Sequence, residues 1–86
     1  MQHQPEHPLR TLLRERGLKQ NEFAVVAGTT GVIVSQYIAG YTGPTPAKIQ
    51  RAVEALWGIP GAELEAANER WKAEFKLYLL QRAQGE

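Results

Sequence analysis

Few side chains in this 86-residue sequence have the types and spacing that covalent or metal chemistry requires. The sequence has no cysteine, which excludes disulfide bonds, thiol nucleophiles and cysteine-ligated metals. His3 and His7 stand four residues apart, the spacing of a metal-binding pair on a helix, but Pro5 lies between them and interrupts such a helix. Ser35 is the only serine, and no histidine lies near it in the sequence to activate it. We therefore predict no metal site, no cofactor and no enzymatic activity.

One loop, Gly40-Tyr41-Thr42-Gly43, has glycines that a phosphate-binding loop would also use. No strand is expected before this loop and no lysine follows its second glycine, so a connecting loop is the better interpretation. The acidic side chains are scattered rather than paired, which indicates solvated charge. These observations favour binding to another macromolecule over reaction with a small-molecule substrate.

Basic and acidic side chains are nearly balanced, with 10 Lys and Arg against 9 Asp and Glu and a net charge of +1. Residues 1–57 carry six basic and four acidic side chains, a net charge of +2, whereas residues 58–86 carry four and five, a net charge of −1. The first part is therefore only modestly suited to an anionic partner. No apolar run is long enough to span a membrane, and we expect a soluble, cytoplasmic protein without a membrane partner.

The sequence predicts five helices. Apolar residues recur at three- and four-residue spacing, and prolines, glycines and threonines punctuate them as helix starts and stops. The predicted starts are Pro8, Gln20, the residue after the N-cap Thr30, the N-cap and N1 pair Thr45-Pro46, and Gly61. The predicted ends are Gly17, Gly28, Gly40, Gly58 and about Arg82. The second and third helices, joined by a glycine turn, form a helix-turn-helix that needs a shared core to be stable.

Residues 18–40 resemble the Cro/lambda-repressor (Xre-family) helix-turn-helix, whose pattern is L-x-Q-x-E-L-A-x-x-x-G-x-S/T followed by x-x-x-I-S-x-I/W-x-x-G. The matching residues are Leu18, Gln20, Glu22, Phe23, Ala24, Gly28, Thr30, Val34, Ser35, Tyr37 and Gly40. With its flanking helices the resemblance covers roughly residues 9–64. It implies an all-α, five-helix lambda-repressor-like domain with an extended C-terminal helix. Its parts would be a flexible N-terminal arm (1–7), a helix-turn-helix core (8–60) and a C-terminal helix (61–86).

The resemblance also implies a function. The helix at residues 30–38 would enter the major groove of double-stranded DNA in a sequence-specific transcriptional regulator, a small dimeric repressor of phage, plasmid or antitoxin kind. The base contacts carried over by position are Thr30, Gly31, Val32, Ser35 and Gln36. The phosphate contacts are Lys19, Gln20, Tyr41, Thr42, Lys48 and Arg51.

The start of this helix departs from the family pattern, because Gly31-Val32-Ile33 stands where relatives often carry polar side chains. Valine cannot make a bidentate hydrogen bond to a base, so methyl contact with thymine would supplement the polar contacts. The alternative function is a protein-interaction module with the same fold. That module would use Val25, Val26, Val32 and Ile33, and the sequence does not decide whether the first two are core or surface.

The predicted core has two notable features. Many relatives carry a buried ion pair between the first helix and the end of the third, and the matching residues here, Leu13 and Ile38, are both apolar. Since packed apolar residues can replace a buried ion pair, we expect these two side chains to be in contact. The predicted core residues are Leu9, Leu12, Leu13, Leu18, Phe23, Ala24, Ala27, Val34, Tyr37, Ile38, Ile49, Val53, Leu56 and Leu64.

The last helix is apolar on two opposite faces, and charged residues lie between them. One face can pack on its own domain, and the other would then be free for a second copy of the chain. The predicted dimerisation residues are Trp71, Phe75, Leu77, Tyr78 and Leu80. The alternative is a C-terminal helix that wraps a single small core.

Overall fold

The computed structural model describes residues 3–85. Within these residues the chain forms five helices and no strand. The helices are α1 (Pro8–Arg16), α2 (Gln20–Ala27), α3 (Gly31–Ala39), α4 (Ala47–Trp57) and α5 (Gly61–Gly85). The predicted all-α, five-helix fold is therefore confirmed.

The helix ends follow the signals in the sequence at all but two places, one of which is the end of α5, which continues to Gly85 past the predicted end near Arg82. The Thr30 hydroxyl accepts a hydrogen bond from the Ile33 amide at 3.2 Å and so caps α3. The prediction that Thr45 caps α4 is wrong by one residue. Pro46 occupies the N-cap position without a side-chain bond. The side chain of Thr45 is instead engaged by α3 and α5, as described below.

A single buried cluster joins the five helices. Its members are Leu9, Leu13, Phe23, Ala24, Val34, Tyr37, Ile38, Ile49, Ala52, Val53 and Leu64. Leu13 and Ile38 both belong to it, and the contact expected between them stays a prediction. The prediction that Leu56 is buried is wrong, since this side chain is 40% exposed. The next residue, Trp57, packs against the cluster instead and lies parallel to Phe23 at 5.9 Å.

Of the residues before α1, His3, Gln4 and Glu6 are exposed, Pro5 is partly buried and His7 is buried, whereas Met1 and Gln2 lie outside the described residues. The flexible arm expected over residues 1–7 stays a prediction. His7 is buried, and its Nδ1 accepts the Leu9 amide at 3.0 Å, capping α1. Since Nδ1 is an acceptor, Nε2 carries the proton and donates to Asn68 Oδ1 at 3.0 Å. Nearby, Arg14 pairs with Glu6 at 2.9 Å.

Burial lowers the pKa of His7. Removal from water lowers the pKa of the imidazole, and the hydrogen bond to Asn68 offsets this only in part. The ring also meets Tyr37 and Trp71 edge to face, each at 4.6 Å between centroids. One neutral histidine therefore connects the start of α1 to α3 and α5.

The first half of α5 packs on the other helices, and its buried residues are Gly61, Leu64, Asn68 and Trp71. Trp71 donates its indole N–H to the Pro5 carbonyl at 3.0 Å. Its ring lies so close to Gly40 that a Cβ there would stand 3.0 Å from the ring. Gly40 also ends α3 with φ of 89°, a conformation that favours glycine.

Among residues 3–85, no one helix combines the length and apolarity needed to cross a membrane. Helices α2 and α3 satisfy that test only when taken together, and they are bent by 113° at the turn between them.

Replacing Gly40 with alanine should destabilise the fold by about 2–4 kcal/mol, since it adds both backbone strain and overlap with Trp71. Gly58 is the matched control, because its φ is also positive, at 66°, but a Cβ there would meet nothing within 4 Å. Gly58→Ala should cost about 1–2 kcal/mol. Denaturant unfolding measures both, and equal losses would show that the approach of Trp71 to Gly40 contributes nothing.

The stability of the protein should fall as the pH is lowered from about 7 to about 5. The pKa of His7 is depressed in the folded state, so above about 6.5 both states are neutral and stability is complete. Below that value the unfolded chain binds a proton that the folded chain does not, at a cost of up to ~1.4 kcal/mol per pH unit. His7→Asn keeps a capping oxygen but does not titrate. An identical pH slope for both proteins in urea unfolding would rule out His7 as the cause.

Candidate functional site

The outward face of α3 is formed by Val32, Gln36 and Ala39. Three other side chains of this helix, Val34, Tyr37 and Ile38, are buried. At 100° per residue the exposed three lie opposite the buried three. Val32 is 64% exposed, and Gln36 and Ala39 are exposed as well. The helix therefore presents a ridge of one amide between two small apolar groups.

A chain of hydrogen bonds fixes α3 against α5. The Tyr37 hydroxyl lies 2.7 Å from Thr45 Oγ1, which donates to Glu65 Oε1 at 2.6 Å. The same carboxylate oxygen accepts the Thr45 amide at 2.7 Å and the Asn68 amide at 3.3 Å. Burial raises the pKa of Tyr37 to about 12, so the phenol remains a donor. Partial burial of Glu65 acts to raise its pKa, but the hydrogen bonds outweigh it and the net shift is downward.

The predicted base-contact residues differ in what they can still offer a ligand. The Thr30 hydroxyl already caps α3, and Gly31 has no side chain. Ser35 is exposed, but its hydroxyl donates to Gln20 Oε1 at 3.1 Å. Only Val32 and Gln36 present side chains without such a bond among the described residues. The structure thus brings the five together on α3 but leaves two of them unengaged.

A groove of about 500 Å³ lies beside the start of α2. Basic and amide side chains line it: Arg10, Arg14, Lys19, Gln20 and Asn21. The first backbone bond of α2 runs from Phe23 to the Lys19 carbonyl, so the amides of residues 20–22 make no backbone bond, while the Lys19 amide donates to the Glu22 carboxylate at 2.9 Å. The cationic and amide side chains of this groove are donors to an anion, and the Glu22 carboxylate at the same helix end offsets part of their charge.

Lys19 and Gln20, which line this groove, are among the predicted phosphate contacts. Arg10, Arg14 and Asn21 also line it and were not predicted. The i, i+4 spacing of the two arginines on α1 was the available signal, since it puts both on one face. Hydrogen bonds from Arg14 lower the pKa of Glu6, which stays ionised and offsets the charge of that arginine. Arg10 and Lys19 therefore supply most of the positive charge of the groove.

The other predicted phosphate contacts are dispersed. Lys48 donates to the Gly28 carbonyl at 3.0 Å, at the end of α2, and Arg51 is exposed on α4. Tyr41 is 83% exposed and lines a separate groove of about 560 Å³ against α5. The Thr42 hydroxyl oxygen is enclosed and has no hydrogen-bond partner among the described residues, and the phosphate contact assigned to Thr42 stays a prediction.

The predicted dimerisation residues divide into two groups. Trp71 is only 4% exposed and packs inside its own domain, where its indole N–H donates to the Pro5 carbonyl, so little of its surface is left for a partner. Phe75 stacks on Trp71 at 4.9 Å and on Tyr78 at 6.2 Å. Leu77 and Leu80 are exposed, and so is a leucine the prediction omitted, Leu79.

Two further apolar side chains, Val25 and Val26 on α2, are exposed at 79% and 53%. This resolves the choice that the sequence left open, since they are surface and not core. In residues 3–85 no group of three potential metal ligands comes together, and His7 serves as a helix cap.

Comparison with known families matches the part of the chain that contains α2 and α3. A family model described as helix-turn-helix matches residues 9–56, more than half of the chain. The match begins in α1 and extends into the last turn of α4, so it includes the outward face of α3 and the groove beside α2. No curated protein and no solved structure matches the chain.

Two threonines in the same loop allow a test of the contacts that hold α3. Thr45→Val removes the hydroxyl that connects Tyr37 to Glu65 and should destabilise the protein by about 1–3 kcal/mol. Thr42→Val removes an enclosed hydroxyl that has no partner within residues 3–85 and should leave stability unchanged or raise it by up to about 1 kcal/mol. Both changes conserve shape. Similar losses in thermal or urea unfolding would contradict the hydrogen-bond chain.

Proposed function

Because the chain belongs to the Cro/lambda-repressor-like (Xre-like) helix-turn-helix family, a family of DNA-binding domains, we propose that it is a sequence-specific transcriptional regulator. It places the outward face of α3 in the major groove of an operator and acts as a small dimeric repressor. The regulators it would resemble in action are those of phages, plasmids and antitoxin systems.

One observation carries the proposal. The exposed ridge of Val32, Gln36 and Ala39 lies on a helix whose other side is anchored in the core, and a cationic groove lies beside the neighbouring α2. Gln20 links the two, since it accepts the Ser35 hydroxyl of α3 and keeps its amide N–H groups free to donate to a phosphate. Phosphate contacts at the groove would set the position of α3, and the ridge would read the bases.

The dimer is part of the same proposal. Leu77, Leu79 and Leu80 are exposed on α5, and Leu79 and Leu80 line the groove that Tyr41 also lines. A second copy of the chain would cover these leucines and bring two α3 helices to half-sites about one turn of DNA apart.

The runner-up function is a protein-interaction module. Its support is the exposure of Val25 and Val26 together with Val32 and Ile33, four apolar side chains near the turn between α2 and α3. Weak dependence of binding on salt would favour this function over the first, since phosphate contacts release counterions.

Selection of bound sequences from a random duplex pool should enrich one site, and its affinity should fall steeply between about 50 and about 200 mM salt. Gln20→Ala should weaken binding to every duplex by roughly tenfold or more, through loss of a hydrogen bond to a charged group. Gln36→Ala should instead change the preferred base pair at one position per half-site. Gln84→Ala, an exposed change at the end of α5, is the control. Failure to enrich any duplex would refute DNA binding.

The double change Leu77→Asp with Leu80→Asp should convert a dimer to a monomer in sedimentation at micromolar concentration, because it charges the proposed interface. Val25→Asp with Val26→Asp is the matched control, as it places the same two charges on exposed valines of α2. The control should remain a dimer. A wild-type protein that sediments as a monomer under these conditions would refute the dimer but leave the DNA-binding proposal in place.

A further inference from the structure

We propose that the carboxylate of Glu6 is an internal competitor for DNA. In the free protein it engages the guanidinium of Arg14 and the hydroxyl of Thr11, and a phosphate of the DNA backbone takes over these two groups on binding. The inference rests on the proposed function and adds to it a contact within the chain that opposes DNA binding.

The first argument is the geometry of the contact. Arg14 meets both oxygens of the Glu6 carboxylate, with Nη2 at 2.9 Å from Oε1 and Nε at 3.4 Å from Oε2. The Thr11 hydroxyl donates to the same Oε1 at 2.7 Å. A guanidinium binds a carboxylate and a phosphate in the same manner, through two parallel hydrogen bonds. The donors that hold Glu6 therefore also match two oxygens of a phosphate.

The second argument is the place of the contact. Arg14 lines the groove of about 500 Å³ beside α2, together with Arg10 and Lys19. The proposed function places the DNA backbone at this groove. Hydrogen bonds from Arg14 and Thr11 lower the pKa of Glu6, so its carboxylate is charged at neutral pH. Glu6 thus holds a negative charge beside the surface that a phosphate has to approach.

The third argument is that Glu6 is held in place but is not buried. On its two sides the Pro5 carbonyl accepts the Trp71 indole N–H at 3.0 Å, and the His7 side chain is buried. The side chains of Glu6 and Arg14 are themselves 37% and 63% exposed. An ion pair so exposed to water contributes little to stability, so a phosphate can displace the carboxylate at low cost.

The test is Glu6→Gln, which removes the charge but keeps a side-chain oxygen that can accept from Thr11. In fluorescence anisotropy titrations it should bind duplex DNA about fourfold more tightly than the wild type at about 50 mM salt, as expected for loss of an exposed ion pair. In the wild type, Glu6 takes up a cation when Arg14 leaves it. The variant should therefore show a salt slope steeper by about 0.9, and its advantage should nearly vanish at about 200 mM.

The gain should be equal for the enriched duplex and for a random one, since phosphate contacts carry no sequence information.

Two matched variants separate local competition from a general effect of charge. Glu15→Gln removes the same charge from the residue next to Arg14, a carboxylate that acts on this arginine through its field and without a hydrogen bond among residues 3–85. Glu15→Gln should raise affinity less than about twofold, because an exposed charge is screened by salt. In an Arg14→Gln background, Glu6→Gln should have a similarly small effect.

The outcomes separate the two proposals. Equal gains from Glu6→Gln and Glu15→Gln, or a full gain from Glu6→Gln in the Arg14→Gln background, would overturn the competitor and leave DNA binding standing. The same holds for no gain at low salt and for a gain confined to the enriched duplex. Binding of no duplex by the wild type or by Glu6→Gln overturns both. Circular dichroism of each variant confirms that it is folded, as expected for changes at exposed side chains.

Discussion

The burial of Tyr37 is the constraint on which the exposed face of α3 depends. A helix of nine residues is not stable alone, so its direction is set by what its inward side chains contact. The Tyr37 ring meets His7, and its hydroxyl reaches Thr45, which Glu65 holds. Residues from three separate parts of the chain thus fix the angle at which Val32 and Gln36 face solvent.

Much of this arrangement follows from local sequence. The bounds of α2 agree with the prediction, and α1 and α3 begin and end at the predicted signals, because threonine, proline and glycine act within a few residues of a helix end. Most of the core could be predicted as well, since the 3.6-residue period places Val34, Tyr37 and Ile38 on one side of α3.

The parts that sequence did not predict depend on long-range contacts. His7 lies in a polar N-terminal segment that reads as a mobile tail. Its ring is nevertheless buried, because Asn68, sixty-one residues later in the chain, is its hydrogen-bond partner. The same packing covers Trp71, which the apolar pattern of α5 alone assigns to an interface. The positions of Arg10 and Arg14 in the groove were not predicted for a related reason. They line it because α1 packs beside the start of α2, and no local motif indicates that packing.

The uneven burial along α5 has a consequence for local stability. All of its buried residues lie in residues 61–71, whereas residues 79–85 are exposed throughout. Backbone amides in the first part can exchange with solvent deuterium only when the core opens, and those near the end can exchange through simple fraying. One continuous helix therefore contains a rigid segment and a labile one, and slowed deuterium uptake in the labile segment would report directly on anything that covers it.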